Sequence, residues 1–172
     1  MVKIREVYMK RVLVFIIISM SLFVLVGCQE KKVNPTYISA ENIYDLDSDK
    51  YLIYFEKEDC SQCAATLPTI INYLTKTSGK RDAVKVYSVL LEFTDENGEK
   101  VSIPISRAFT GGDTKQGPDG NFYVNGVSNW VALYIAAAPS LIEVSTVDGK
   151  KQSTLIAVGT SEIETYINNL LK

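Results

Sequence analysis

Residues 51–55 read YLIYF, five apolar or aromatic positions with no polar residue between them. Such a short, unbroken run of β-branched and aromatic residues predicts a strand covered on both faces. The period then changes. Leu67, Ile70, Ile71 and Leu74 recur at i, i+3, i+4 and i+7, which predicts a helix with that stripe toward the core. Gly79 closes it, and Pro68 predicts a kink. Residues 83–93, AVKVYSVLLEF, alternate and then run together as a second strand. Upstream, Ser39 heads SAENIYDLD, a short helix with Ile43, Tyr44 and Leu46 on its apolar side. Downstream, residues 141–146 and 153–158 flank Asp148-Gly149, the signature of an antiparallel hairpin. Ser161 and Glu164 have capping-box spacing for a last helix whose apolar residues are Ile163, Ile167, Leu170 and Leu171. Strands and helices that alternate first, with a hairpin last, predict a mixed sheet with helices on both faces.

One segment breaks this rhythm. Residues 94–129 hold most of the glycines, with Gly111-Gly112 and GPDG as turn signals. A strand fragment is expected near KVSIPI and an exposed loop over 111–120. An irregular stretch of this length inside a domain is often functional. Residues 130–138, WVALYIAAA, predict a short apolar helix, with Trp130 packing the insertion against the domain or lining a groove.

The N-terminus has its own pattern. Lys3, Arg5, Lys10 and Arg11 precede an apolar run over residues 12–26. A basic start, a short apolar core and a small residue at its end predict an export signal over 1–27. The LVGC that closes it resembles the bacterial lipobox, which implies cleavage before Cys28 and a lipid on its sulfur. The other reading is an uncleaved anchor with Cys28 an ordinary residue. Met9 is a second candidate start. Residues 28–37 are polar and read as a tether, leaving 38–172 as the domain.

Composition narrows the chemistry. A chain of 172 residues suits one domain. Its formal charge is −2, and about −5 once residues 1–27 are gone. That gives no basic face for nucleic acid. There is no histidine, which excludes Ser-His-Asp and Cys-His catalysis and histidine-ligated zinc. An exported chain works where disulfides persist. With Cys28 lipidated, Cys60 and Cys63 are the only thiols.

These two cysteines stand three apart in YFEKEDCSQCAATLP. A bridge between them closes too small a loop for a good structural staple. Two thiolates fall short of a closed zinc site, although two alone can handle copper; no metal is expected. Redox chemistry suits them better. A thiol at a helix N-terminus is stabilised as thiolate, and a second one turn later can reach its sulfur. Glu56, Glu58 and Asp59 oppose that thiolate and Lys57 offsets them.

The constellation resembles the thioredoxin-like superfamily, above all the tethered extracytoplasmic bacterial proteins that include the bacteriocin transport accessory type. Phe55 lies five residues before Cys60 and Pro68 five after Cys63. Ala138-Pro139 precedes SLIEV, and Asp148-Gly149 and Val158-Gly159 follow in order. The resemblance covers residues 38–172 apart from about 94–129. It implies an α/β thioredoxin fold, a mixed central sheet flanked by helices with an insertion before the cis-Pro strand. It also implies a membrane-tethered thiol–disulfide oxidoreductase without a cofactor, lipid-anchored on the extracytoplasmic face of the cell membrane. Cys60 would be the nucleophile and Cys63 the resolving thiol of a redox-active disulfide. Pro139 would be cis in a substrate groove shared with Ala138, Ser61 and Gln62. The implied partners are extracytoplasmic protein thiols or disulfides and a redox protein that recharges a monomer. The departures are Tyr54 at the position of the family's buried acid, Glu56 and Asp59 for tryptophans, and Ser61-Gln62 for Gly-Pro. The Cys63 proton then falls to water or to a carboxylate such as Glu56. The competing class is a binding or accessory module of the same fold whose cysteine pair is a redox switch or idle.

Overall fold

The structure is a computed structural model describing residues 32–103, 124–135 and 137–172. The export signal, Cys28 and the loop expected over 111–120 lie outside the described residues. The folded unit spans Lys32–Lys172, so the end of the expected tether belongs to it.

Six strands form one mixed sheet. They are β1 (Thr36–Tyr37), β2 (Lys50–Lys57), β3 (Lys85–Thr94), β4 (Lys100–Ser102), β5 (Ser140–Val147) and β6 (Lys150–Val158). The order is β1-β3-β2-β5-β6, with β4 also paired to β3. β1 and β2 run parallel to β3, whereas β5 is antiparallel to both β2 and β6. β2 is central, and Tyr51 to Glu56 are all buried. That explains why its sequence does not alternate. Asp148 and Gly149 both take positive φ, 50° and 74°, closing the expected β5–β6 hairpin with the twist such turns favour.

Two cores sandwich this sheet. On one face α1 (Ser61–Thr77) and α2 (Thr160–Asn169) bring Ile70, Tyr73, Ile163 and Ile167 onto Leu52, Tyr54, Val86 and Leu141. The opposite face has no α-helix among the described residues. Ile43, Val124, Leu133 and Ile135 cover Ile53, Phe55, Val89 and Ile142 there. Among the described residues, short 3-10 turns and extended chain do the covering of this face, where the sequence predicts helix.

The reasons are local. Ala40–Tyr44 is a 3-10 turn because Ala40 and Ile43 must both reach the core, and a three-residue period brings them to one side. Trp130–Ala132 is a single 3-10 turn whose start is capped by Asn129 Oδ1 accepting from Ala132 N at 2.9 Å. The chain then extends, so that the alternate residues Leu133 and Ile135 are both buried; the expected helix would separate them. Trp130 packs against this core.

α1 runs through Pro68 as one helix, with Cys63, Thr66, Ile70 and Tyr73 as its buried stripe. The stripe is rotated from the expected one, and Leu67 and Leu74 flank it. α2 is capped at Gly159, two residues before the Ser161 of the expected capping box, and has no side-chain cap. Instead Glu162 Oε2 accepts from Val158 N at 3.0 Å, and Thr160 is engaged by α1.

Candidate active site

β2 delivers the chain from the sheet's centre to its edge at Lys57, and a tight turn follows. Asp59 takes a positive φ of 56°, a conformation that aspartate tolerates better than most residues. Cys60 comes next as the N-cap of α1. Its sulfur accepts a hydrogen bond from Cys63 N at 3.1 Å, so one of the free amides of the first turn points at the sulfur. That amide, with the helix dipole, favours a thiolate at Cys60 once the pair is reduced.

Cys60 and Cys63 are joined as a disulfide, 2.10 Å between sulfurs. Cys60 is half-buried, whereas Cys63 is 2% exposed. An incoming sulfur therefore meets Cys60 first. The Ala138–Pro139 peptide is cis, as expected. The Ala138 carbonyl oxygen lies 3.8 Å from Cys60 Sγ, bringing residues 78 apart to one point. Ser61 and Gln62 are exposed on the first turn. The Gln62 carbonyl accepts from Thr66 Oγ1 at 2.8 Å and from Thr160 Oγ1 at 3.1 Å. Thr66 Oγ1 also reaches Thr160 Oγ1 at 3.0 Å. This pins the start of α2 against the start of α1.

The acidic run beside the disulfide divides. Glu58 and Asp59 are exposed. Glu58 Oε2 accepts from Thr94 N at 2.7 Å, and Lys57 pairs with Glu92 at 2.6 Å. Glu56 is different: it is 6% exposed. It belongs to β2, on the same strand face as Leu52 and Tyr54, and that face lies under the helices. Burial pushes its carboxyl above the ordinary range, and the Tyr37 and Ser88 hydroxyls pull it partly back. Oε1 has no hydrogen-bond partner among the described residues, and Ser88 Oγ likewise makes no well-formed bond.

Tyr54 stands beside it. Its hydroxyl donates to the Cys63 carbonyl at 3.2 Å. Its pKa is raised by burial first and by the Glu56 charge second. Tyr54 is thus not plain core: it ties the sheet to the backbone of Cys63. Tyr37, Thr66 and Ser88 were absent from the sequence-based site. The readable signal was strand parity, since Glu56 shares the face of Tyr54, and the pairing of Ser88 with Tyr54 follows from aligning the two strands.

Two sulfurs could hold a soft metal ion. Among the described residues no group of three or more Cys, Asp or Glu side chains gathers to hold one, and no helix is long and apolar enough to cross a membrane. No protein-family model matches the chain, and no curated protein matches it either.

Proposed function

We propose that this protein is a thioredoxin-like thiol–disulfide oxidoreductase acting on extracytoplasmic protein substrates, held at the membrane by a lipid on Cys28. The observation that carries the reading is the asymmetric disulfide. Cys60 is approachable and sits on a helix N-terminus, Cys63 is buried behind it, and the Ala138 carbonyl stands 3.8 Å from Cys60 Sγ. A structural bridge has no use for that asymmetry. The strand order β1-β3-β2-β5-β6 supports the thioredoxin-like architecture, with β4 opening the insertion.

In the reducing direction the Cys60 thiolate attacks a substrate disulfide. A mixed disulfide forms and one substrate thiolate leaves. Cys63 gives its proton to Glu56 and its sulfur attacks Cys60 Sγ. The Cys60–Cys63 bond forms, the second substrate thiolate leaves, and two electrons have passed to the substrate. A partner dithiol restores the pair. The oxidising direction is the reverse. Ser61, Gln62, Ala138 and Pro139 line the approach to Cys60, and no cofactor takes part.

The test is trapping. Cys63→Ser expressed in its own envelope should accumulate mixed disulfides through Cys60, which reductant releases on a gel. If it captures nothing that Cys60→Ser does not, the pair is idle and the accessory-module reading takes its place.

A further inference from the structure

The register places three side chains in one row across the sheet. Tyr37 of β1 is opposite Ser88 of β3, and Ser88 is opposite Tyr54 of β2. Glu56 follows Tyr54 on the same face. Of the two residues that bracket this polar patch, Glu56 is 6% exposed and Tyr37 is 54% exposed. Tyr37 is therefore the member nearest water, on the row that leads across Ser88 to the strand of the buried carboxyl, and its hydroxyl acts on that carboxyl as a donor that lowers its pKa.

Resting on the redox reading above, we propose that Tyr37 is a positioning residue for proton transfer: it holds the Glu56 carboxyl and shields it from water, so the seating of β1 sets the acceptor of the Cys63 proton. β1 is short. It has two paired residues, reinforced by Ile38 N donating to Ser88 O at 2.9 Å and Val33 N donating to Thr75 Oγ1 at 3.1 Å. A two-residue edge strand belongs to the low end of local stability. The groups around the carboxyl are Tyr37 from β1, Tyr54 from β2 and Ser88 from β3. From α1, the Cys63 carbonyl accepts from Tyr54, and the Thr66 hydroxyl lowers the pKa of that phenol.

The two functions of Tyr37 separate by mutation, because they act on Glu56 with opposite sign. Tyr37→Phe keeps the ring and removes the donor. The carboxylate loses one charge-assisted hydrogen bond, and its titration moves up by about one pH unit. Tyr37→Ala admits water, and the titration moves down toward the ordinary carboxylate range. A side chain that only packed would leave the titration in place in Tyr37→Phe and move it in Tyr37→Ala alone.

The experiment uses the reduced full chain mixed with 5,5′-dithiobis(2-nitrobenzoate) in stopped flow across pH. The first nitrobenzoate thiolate released reports attack by Cys60, and the second reports closure by Cys63. The expected result is a pH profile of the second release that shifts up in Tyr37→Phe and down in Tyr37→Ala. Tyr44→Phe should leave it in place, since that hydroxyl pairs with Ser153 and the ring packs on the other face. Profiles that coincide with the wild type, or that both move one way, overturn the proposal. A wild-type protein with no second release overturns the redox reading itself, and this proposal with it.

Discussion

Replacing Glu56 by glutamine should make the protein more stable and its redox centre slower. The carboxyl is 6% exposed and Oε1 has no partner among the described residues. A buried polar group left unsatisfied costs about 1–3 kcal/mol, and more when charged. Glutamine fills the same volume, carries no charge, and can meet the Tyr37 and Ser88 hydroxyls with either end of its amide. The expected gain in unfolding free energy at pH 7 is therefore about 1–2 kcal/mol, or about 2–4 °C in melting temperature for each kcal/mol in a domain of this size. The pH dependence is the sharper readout. Burial raises the folded-state pKa of Glu56, so between the unfolded value and the folded value the native state binds more protons. Wild-type stability then falls as pH rises through that window. Below the unfolded value, about 4.3, both forms are neutral, and the variant's advantage should vanish. Urea titrations of the oxidised protein at a series of pH values would measure this. A variant less stable at pH 7, or an advantage that does not change with pH, would refute the reasoning. The same variant should close mixed disulfides more slowly, as expected of a residue whose burial is kept for its chemistry.

Other substitutions test the frame around the site. Ser153 is fully buried, donates to Val124 O at 2.6 Å and accepts from the Tyr44 hydroxyl at 2.9 Å; Ser153→Ala should cost about 1–3 kcal/mol in chemical denaturation. Tyr54→Phe removes the bond to the Cys63 carbonyl and should cost about 1 kcal/mol, with hydrogen exchange rising first at the start of α1. Thr66→Val breaks the link to Gln62 O and Thr160 and should destabilise by about 1–2 kcal/mol; an unchanged midpoint would show that the helix starts do not depend on each other. Glu143→Gln loses a pair with the half-exposed Lys50, and its effect should stay within about 0.5 kcal/mol.

Hydrophobic pattern revealed the centre of this molecule and not its periphery. Residues 51–55 announce β2 because full burial leaves no polar position, and Asp148-Gly149 announces the hairpin because few other pairs take positive φ twice. Cys60 at the start of a helix was legible from the change of period after it. The α1 stripe was misread because Cys63 and Thr66 are its buried members, and a threonine bonded to a carbonyl carries no apolar signal. In the sequence Glu56 is grouped with Glu58 and Asp59, and nothing in the acidic run itself marks it as the buried member. Strand parity puts it on the face of Tyr54, and the end of β2 at Lys57 separates it from Glu58, which lies beyond the strand. The other face was misread for a different reason: residues 130–135 have helical composition, yet the core takes Leu133 and Ile135 from an extended chain.

The Val33 amide is fastened to Thr75, near one end of a helix whose other end is capped by Cys60. Seventeen residues at 1.5 Å each separate those ends by about 26 Å. From residue 28 to residue 33 a fully extended chain spans at most about 18 Å. A lipid on Cys28 would therefore give the protein a short leash attached at its Thr75 end, about 26 Å along the helix from the disulfide. Such an arm would sample a shell of restricted height above the bilayer. Among neighbours on the same surface it would discriminate by geometry before affinity, favouring cysteines exposed at that height over cysteines buried at the lipid boundary.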